Sequence, residues 1–206
     1  MEPFQHTNQP DWDWWSRLWP TPGATLRALG IGRGDALAEV GCGNGYFALP
    51  AARVVDPATV HAVDLDRTLL EELDELAGLH HVQNLEMYHA DAREMAGVLP
   101  DPVDVVLNAN TFHGVDDVAA FVASAHDVLA TDGEFVVVNW HDAPRQETRI
   151  RDAARGPPTD LRLSPAETEH VVTDAAAFHP VATVELPPYH YAVRFERGSS
   201  ARPDSP

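Results

Sequence analysis

The chain has 206 residues, of which 32 are acidic and 14 basic, so its formal net charge is −18. This composition lacks the basic surface by which nucleic-acid-binding proteins hold phosphates. No apolar stretch approaches the ~20 residues that a membrane-spanning helix needs. We therefore expect a cytoplasmic protein with no nucleic-acid or membrane partner, and the single Cys42 excludes an internal disulfide.

The acidity also suggests adaptation to salt. All 14 basic residues are arginine, and aspartate outnumbers glutamate. Such an excess of like charges destabilises a compact protein in dilute buffer, whereas salt near ~1 M shortens the Debye length to about 3 Å. These features favour a halophilic origin over the alternative, which is an acidic protein from a genome rich in G and C.

The N-terminal region is rich in tryptophan. Residues 1–10 are predicted to be disordered, and residues 11–30 to form an aromatic helix. Trp12, Trp15 and Trp19 recur at helical spacing, which places them on one face. That pattern predicts burial against the core, and it is compatible with a lid over a ligand.

Strands and helices then alternate along the chain. The predicted strands cover residues 35–40, 60–65, 85–89, 103–108 and 134–140. A helix is predicted over 47–55, a second is capped by Asp66, and a third begins after Asp116 or Asp117 and is stopped by Gly133. This alternation predicts an α/β fold with a parallel sheet covered on both faces.

The last third of the chain departs from this alternation. Residues 141–163 are polar and are predicted to form a long loop with one helical turn. A capping box at 164–167 (SPAE) starts a helix that runs to about Phe178. Residues 181–186 and 189–196 form two antiparallel strands. Residues 11–197 are thus predicted to form one domain, followed by a disordered tail at 198–206.

The segment AEVGCGNG, residues 38–45, closes the first strand and opens a helix. Gly41, Gly43 and Gly45 allow a tight turn and the close approach of a ligand. The helix N-terminus presents unpaired N–H groups to an anionic group. A dinucleotide fingerprint requires glycine at the sixth position, where this chain has Tyr46. The bulky tyrosine therefore argues against a pyrophosphate site.

Acidic residues follow the next two strands. Asp64 ends the second strand, where a carboxylate can accept hydrogen bonds from both hydroxyls of a ribose. Asp91 follows the third strand, where it could accept from an adenine amino group. Each aspartate alone fits a helix cap or turn equally well. Together with the glycine turn, they indicate a nucleoside site at three successive strand ends.

Taken in order, these segments resemble the motifs of class I methyltransferases that use S-adenosylmethionine (SAM), of the methyltransferase-domain (UbiE) type. The resemblance spans roughly residues 25 to 197. AEVGCGNG is similar to motif I, VDL at 63–65 to the acidic second motif, and HADA at 89–92 to the third. VVLNANTFH at 105–113 is similar to the fourth. LATDGE at 129–134 resembles the turn written L-x-P-G-G, with Thr-Asp replacing Pro-Gly.

The resemblance implies a three-layer Rossmann-like fold with SAM as cofactor. The implied sheet has seven mostly parallel strands in the order 3-2-1-4-5-7-6, with the last strand antiparallel. The implied cofactor-binding residues are Glu39 at the SAM amino group, Gly41, Gly43 and Gly45 under the methionine and ribose, Asp64 at the ribose hydroxyls, Leu65 on adenine, Asp91 and Ala92 at the adenine edge, and Asn108 near the methionine amino group.

Histidines are the candidate catalytic residues. His113 follows the fourth strand and His141 the fifth, so either could remove a proton from a hydroxyl or amine acceptor. His190, on the last strand, is more simply a structural histidine. No two of these histidines have the local spacing of metal ligands, so no metal is predicted.

The expected activity is methyl transfer to a small-molecule acceptor, in a pocket closed by the aromatic N-terminal helix and the 141–163 loop. One alternative is a SAM-binding protein without turnover. The less favoured one is a nicotinamide-dependent oxidoreductase. The oligomeric state stays open.

Overall fold

The computed structural model describes residues 12–199. The disorder predicted for residues 1–10, and for residues 200–206 of the tail, lies outside this part of the chain. The helices are α1 (Trp12–Leu18), α2 (Pro22–Ala28), α3 (Ala48–Val55), α4 (Arg67–Leu79), α5 (Val118–Val128) and α6 (Pro165–Ala175). The strands are β1 (Leu37–Val40), β2 (Val60–Asp64), β3 (Leu85–His89), β4 (Val103–Ala109), β5 (Leu129–Trp140), β6 (Arg149–Ile150), β7 (Ala153–Ala154), β8 (Phe178–Leu186) and β9 (His190–Arg197).

Seven strands form one sheet in the order β3-β2-β1-β4-β5-β9-β8. Neighbours from β3 to β5 run parallel, whereas β9 is antiparallel to both β5 and β8. The short strands β6 and β7 form a separate hairpin. When only the strands of the large sheet are numbered, the order is the predicted 3-2-1-4-5-7-6. The predicted fold class is therefore confirmed.

The central strands are buried on both faces. In β5, Val136 belongs to one apolar core, which includes residues of α3 and α4. Its neighbour Val137 belongs to a second core, which includes residues of α5 and α6. Since successive strand residues point to opposite faces, helices cover both sides of the sheet. This explains why the segment is apolar at consecutive positions rather than alternating.

The N-terminal aromatic segment differs from its prediction. Instead of one helix over residues 11–30, the described part holds the short helices α1 and α2. Pro22 starts α2, because proline is suited to a first helical turn and unsuited to a helix interior. Trp14, outside the predicted apolar face, is buried, while Trp12 is 37% exposed. Trp19 lies beyond α1, although its N–H still donates to the Trp15 carbonyl at 3.1 Å.

Two helix ends also differ from the sequence expectations. The prediction that Gly133 stops α5 is wrong, because the helix ends at Val128 and β5 begins at the next residue. Gly133 instead lies where the pairing of β4 with β5 is irregular, in close contact with the Asp104 carbonyl. The capping box of α6 is present, with Ser164 and Glu167 bonded reciprocally. The helix is shorter than predicted, since β8 begins at Phe178.

None of the helices between residues 12 and 199 combines the length and the apolar character needed to cross a membrane.

Gly45 lies where α3 approaches α4. Its φ is +89°, and a Cβ built there would lie 2.2 Å from Cδ1 of the fully buried Leu73. Only glycine adopts this conformation without strain, and only glycine leaves room for Leu73. The residue therefore sets how closely the start of α3 packs on α4.

We expect Gly45→Ala to lower the free energy of unfolding by about 2 kcal/mol, because a left-handed alanine costs roughly 1–2 kcal/mol and Leu73 must also move. Gly78→Ala is the matched control. It adds a methyl group in α4 with no heavy atom within 4 Å, and it should raise stability by up to about 1 kcal/mol. Urea unfolding measures both. Equal effects of the two substitutions would contradict the packing role of Gly45.

Candidate functional site

A cavity of about 710 Å³ lies at the carboxyl ends of the parallel strands. Residues at or just after the ends of β1 to β5 line it, together with α1 and parts of the segment 145–157. The chain leaves β1 toward β2 on one side, while β4 lies on the other side of β1. Such a switch point is where open α/β sheets bind ligands.

The turn after β1 brings its backbone against the cavity. Gly41 has φ +71°, and a Cβ there would lie 2.7 Å from Cγ2 of Thr111. The N–H of Gly41 donates to the Val63 carbonyl at 2.8 Å, which fixes the turn to the end of β2. Gly41 and Gly43 both line the cavity.

Gly45 does not line the cavity, in contrast to the prediction that it passes under a ligand. Its contact with Leu73 explains why the position is glycine. Gly45 thus belongs to the glycine motif, but the contact that requires glycine there is with α4 and not with the cavity.

The Asp64 carboxylate is held by the backbone on both oxygens. Oδ2 accepts from the Gly43 N–H at 2.7 Å, and Oδ1 accepts from the Asp66 N–H at 2.9 Å. Burial raises the pKa of Asp64, while these N–H groups act in the opposite direction. A carboxylate oxygen has two lone-pair positions. The N–H groups of Gly43 and Asp66 each occupy one such position and the Leu65 N–H also acts on the carboxylate, which leaves at least one position for a ligand hydroxyl group.

Glu39 places an uncompensated carboxyl group in the cavity. The residue is 2% exposed, and its Oε2 has no hydrogen-bond partner among the described residues. Burial, and secondly the charge of Asp64, raises the pKa of Glu39 well above its usual range. A buried carboxylate in this position is stabilised by a cation.

Asn108 supplies a further acceptor. Its Nδ2 donates to the Val40 carbonyl at 3.2 Å and to Oγ1 of Thr111 at 2.5 Å, which fixes the orientation of the amide. The buried Oδ1 has no partner within residues 12–199. Glu39 and Asn108 thus present two oxygens suited to a ligand ammonium group.

Asp91 lines the cavity, but its carboxylate is partly engaged. Arg93 binds it through two side-chain bonds, Nε to Oδ1 at 2.9 Å and Nη2 to Oδ2 at 2.6 Å, and its backbone N–H adds a third. These bonds lower the pKa of Asp91. One lone-pair position on Oδ2 is left for a ligand. The sequence analysis did not identify Arg93.

Leu65 and Ala92 also line the cavity. Leu65 is 41% exposed, which is unusual for a leucine next to a buried strand. It offers an apolar surface beside Asp64 on which a flat ring can pack.

The two candidate catalytic histidines are separated by the structure. His113 lies in the turn after β4 and lines the cavity. His141 does not line it. Its Nε2 lies 2.9 Å from Oε2 of Glu185, and its ring packs against Tyr191. β5 ends at Trp140, which lines the cavity. The ring of the following His141 lies against Tyr191, which belongs to the core on the other face of the sheet from Trp140.

His190 lies in an aromatic cluster. Its ring centroid is 4.1 Å from that of Trp140 and 4.7 Å from that of Trp19. Burial, and secondly Arg162, lowers the pKa of His190 well below its usual range. The neutral imidazole therefore packs as part of the core, as expected for a structural histidine.

Tyr46 occupies the position of the third dinucleotide glycine. Its hydroxyl donates to the Trp19 carbonyl at 2.6 Å, and its ring packs edge-on against Trp12 and Trp15. The side chain therefore fixes the N-terminal aromatic segment over the start of α3. A pyrophosphate could not approach α3 there as it does over a glycine.

The segment 141–163 is more ordered than the loop that was predicted, because it contains the β6–β7 hairpin. Residues 154–157 and Arg145 also line the cavity, as do Trp14 and Trp15 of α1. Arg151 of the hairpin forms an ion pair with Asp13 of α1. Two segments distant in sequence thus meet at one side of the cavity.

Sequence reasoning missed several lining residues. Asn110 has φ +63° and is buried, and neither polar atom of its side chain has a partner in the described part of the chain. Its place immediately after β4 was the available signal. The other missed residues, Trp14, Arg145 and Arg155, belong to segments without a recognisable motif.

Between residues 12 and 199, no three His, Cys, Asp or Glu side chains are grouped closely enough to hold a metal ion.

Known methyltransferases resemble this chain in part of its sequence and in its fold. Residues 38–137, from β1 into β5, match the family model of a methyltransferase domain. A SAM-dependent methyltransferase from Aquifex aeolicus has a similar structure, with a TM-score of 0.76 and 22% identity over 89% of this chain and 93% of that one. The chain is therefore similar to a methyltransferase domain over residues 38–137, and its fold is similar to that of the Aquifex aeolicus protein.

Two further proteins are similar. The magnesium protoporphyrin IX methyltransferase of Synechocystis PCC 6803, whose structure contains bound SAM, has a TM-score of 0.63 and 15% identity over 91% of both chains. The fatty-acid O-methyltransferase of Mycolicibacterium smegmatis is 30% identical over 124 residues, or 58% of this chain. This chain spans 43% of the length of that relative.

The buried carboxyl group of Glu39 should make the free energy of unfolding depend on pH. Its pKa is raised in the folded state, so folding becomes less favourable as pH rises from the ordinary glutamate pKa through the raised one. Glu39→Gln removes this effect. At neutral pH we expect the ligand-free variant to be more stable than the wild type by about 1–3 kcal/mol.

Urea unfolding at several pH values measures the difference, which should shrink below the ordinary glutamate pKa. The exposed Glu75→Gln serves as control, because it removes the same charge from the surface. A Glu39→Gln variant less stable than the wild type at neutral pH would contradict the assignment.

Proposed function

We propose that this protein is a SAM-dependent methyltransferase that transfers a methyl group to a small-molecule acceptor. One observation carries the proposal. A single cavity collects acceptor oxygens of Glu39, Asp64 and Asn108 around the glycine turn that follows β1. These oxygens match the cationic and hydroxyl groups of SAM, and the methyltransferase domain at residues 38–137 supports the same cofactor.

The residues present fit SAM group by group. Glu39 and Asn108 would receive the ammonium group, because their buried oxygens lack partners in the described chain. Asp64 would accept from the ribose hydroxyls through the lone-pair positions that the backbone N–H groups leave open. Leu65 and Ala92 would pack against adenine, and Asp91 would accept from the adenine amino group through Oδ2. Gly41 and Gly43 would lie under the methionine and ribose.

SAM, when bound, supplies a methyl group on a positively charged sulfonium. The protein's own contribution is to orient this group and the acceptor and to exclude water. The acidic side chains at the strand ends favour a cationic ligand. α1 and the segment 145–157 border the acceptor side of the cavity.

His113 is the candidate general base. It lines the cavity after β4, near Asn110, whose amide can orient an acceptor. An imidazole can take the proton of a hydroxyl or amine acceptor near neutral pH. His141 is no longer a candidate in this proposal, because its side chain faces away from the cavity and contacts Glu185.

The cavity supports a small acceptor. Its volume of about 710 Å³ lies within the range of roughly 300–1,000 Å³ typical of small-molecule sites. The acceptors named for the similar proteins, a fatty acid and magnesium protoporphyrin IX, are themselves small molecules.

The alternatives differ in what they bind or turn over. A nicotinamide-dependent oxidoreductase is disfavoured by Tyr46, which fills the space that a pyrophosphate needs. A SAM-binding protein without turnover would share the cofactor site. Formation of S-adenosylhomocysteine (SAH) with a panel of metabolites separates this alternative from an enzyme.

Two further parts of the proposal rest on the amino-acid composition. An acidic, lysine-free composition supports work at high salt and an acceptor that is not a nucleic acid.

Asp64→Ala tests the cofactor site. It removes charge-assisted hydrogen bonds to the ribose, which should weaken SAM binding roughly ten- to a hundredfold. Calorimetric titration with SAM measures the change, and unfolding without ligand tests whether the glycine turn persists. The exposed Asp56→Asn is the control and should leave affinity unchanged. Wild-type SAM affinity in the Asp64→Ala variant would refute the ribose assignment.

His113→Ala and His141→Ala form a matched pair on the acceptor side. We expect His113→Ala to lower kcat about a hundredfold or more with an acceptor that must lose a proton, because general bases typically contribute 10²–10⁴-fold. His141→Ala should change kcat less than threefold. SAM affinity should be unchanged in both. If the two variants have equal kcat, His113 is not the base.

A further inference from the structure

The acidic and the basic residues that line the cavity come from different parts of the chain. Its acidic residues lie at or after the ends of β1 to β4, as with Glu39 and Asp64. Arg145 and Arg155 belong to the segment 145–157. Arg93 also lines the cavity, but it binds Asp91. The cavity therefore has an acidic lining from the strand ends, called here its acidic side, and a basic lining from the segment that includes the β6–β7 hairpin, called here its basic side.

Arg155 has no carboxylate partner in the described part of the chain. Its guanidinium carbon lies 5.0 Å from the ring centroid of Trp14, and its buried Nε has no hydrogen-bond partner there. The chain has 32 acidic residues, and other arginines do have carboxylate partners. Arg151 pairs with Asp13, and Arg194 pairs with Glu134. An unpaired guanidinium in a cavity is a site for an anion.

Arg145 and Arg162 add to the positive charge. Nε of Arg145 donates to the Gly156 carbonyl at 2.9 Å. The buried Arg162 donates to the carbonyls of Ala143, Arg155 and Pro157 and to the Thr148 hydroxyl, and its guanidinium packs over Trp140. These bonds hold the segment in place. Neither arginine forms an ion pair within residues 12–199.

The burial of Arg162 and the charge of Arg145 lower the pKa of Arg162. Arg145 and Arg155 line the cavity and Arg162 lies close to them outside its lining, and no carboxylate of the described chain compensates the three charges. A bound anion would relieve this repulsion.

We propose that the methyl acceptor is an organic acid, whose anionic group is bound by Arg155 and Arg145 and whose apolar body packs on Trp14 and Trp140. The proposal rests on the proposed function and specifies its acceptor. Arginine binds a carboxylate through paired, charge-assisted hydrogen bonds. The tryptophan rings line the same cavity and offer flat apolar surfaces.

A competing explanation assigns these arginines to the carboxylate of SAM itself. In that case their removal would weaken cofactor binding, whereas in our proposal it weakens acceptor binding only. The two explanations therefore differ in which affinity changes.

The experiment uses the full-length protein saturated with SAH, at fixed ionic strength. Calorimetry compares three pairs of equal size, each a carboxylate and its amide: benzoate and benzamide, indole-3-acetate and indole-3-acetamide, hexanoate and hexanamide. We expect the carboxylate of at least one pair to bind tenfold or more tightly than its amide. In Arg155→Gln that preference should fall by about 10- to 100-fold, with SAH affinity unchanged.

Further variants control for folding and for general loss of charge. Arg155→Lys keeps the charge and should retain part of the preference. Arg145→Gln should reduce it as well. Arg149→Gln removes a charge from the same hairpin outside the cavity, and it should leave the preference intact. Thermal unfolding of each variant checks that the segment still folds.

Each remaining outcome overturns the proposal. Amides that bind as tightly as their carboxylates, a panel in which no carboxylate binds, or a preference that survives both Arg155→Gln and Arg145→Gln would do so. A loss of SAH affinity in Arg155→Gln with the preference unchanged would assign the arginines to the cofactor. A wild-type protein that binds neither SAM nor SAH would instead refute the proposed function.

Discussion

The Asp64 carboxylate is the interaction on which the rest of the site depends. By accepting from the N–H groups of Gly43 and Asp66, it joins the turn after β1 to the turn after β2. The same bonds orient both oxygens toward the cavity. This position of Asp64 is electrostatically unfavourable, because its charge lies near the carboxyl group of Glu39 and raises the pKa of that group. Negative charge is thus concentrated at the strand ends, where a cationic ligand would relieve it.

Much of this arrangement could be predicted from the sequence, because the signals are local. Strand and helix alternation yields the sheet, and the glycine turn and Asp64 follow strands directly. At the end of β5, by contrast, the sequence does not show which side chain lines the cavity. Trp140 and His141 are consecutive, yet only Trp140 lines the cavity, and the sequence does not show that His141 turns instead to Glu185 and Tyr191. The place of Arg155 depends on contacts of its segment with α1, more than a hundred residues away in the chain.

A motif also identifies positions without identifying what their atoms contact. Gly45 belongs to the glycine turn, yet the reason for its glycine is Leu73. Asp91 stands at the predicted strand end, but Arg93 already occupies most of its carboxylate. In both cases the partner lies outside the motif. The carboxyl groups of Asp64 and Glu39 are therefore more available to a ligand than that of Asp91.

The division of the cavity follows the division of the fold. Its acidic side is built from the ends of parallel strands, the part of the chain that alternation and motifs describe. Its basic, tryptophan-rich side is built from α1 and the segment 145–157, which interrupt the alternation and are joined by the ion pair of Arg151 with Asp13. Because Arg162 fixes the segment through backbone carbonyls rather than carboxylates, the positive charge there is not neutralised within the described chain. A change of sequence in this segment would therefore alter what the acceptor side binds while leaving the strand-end side intact.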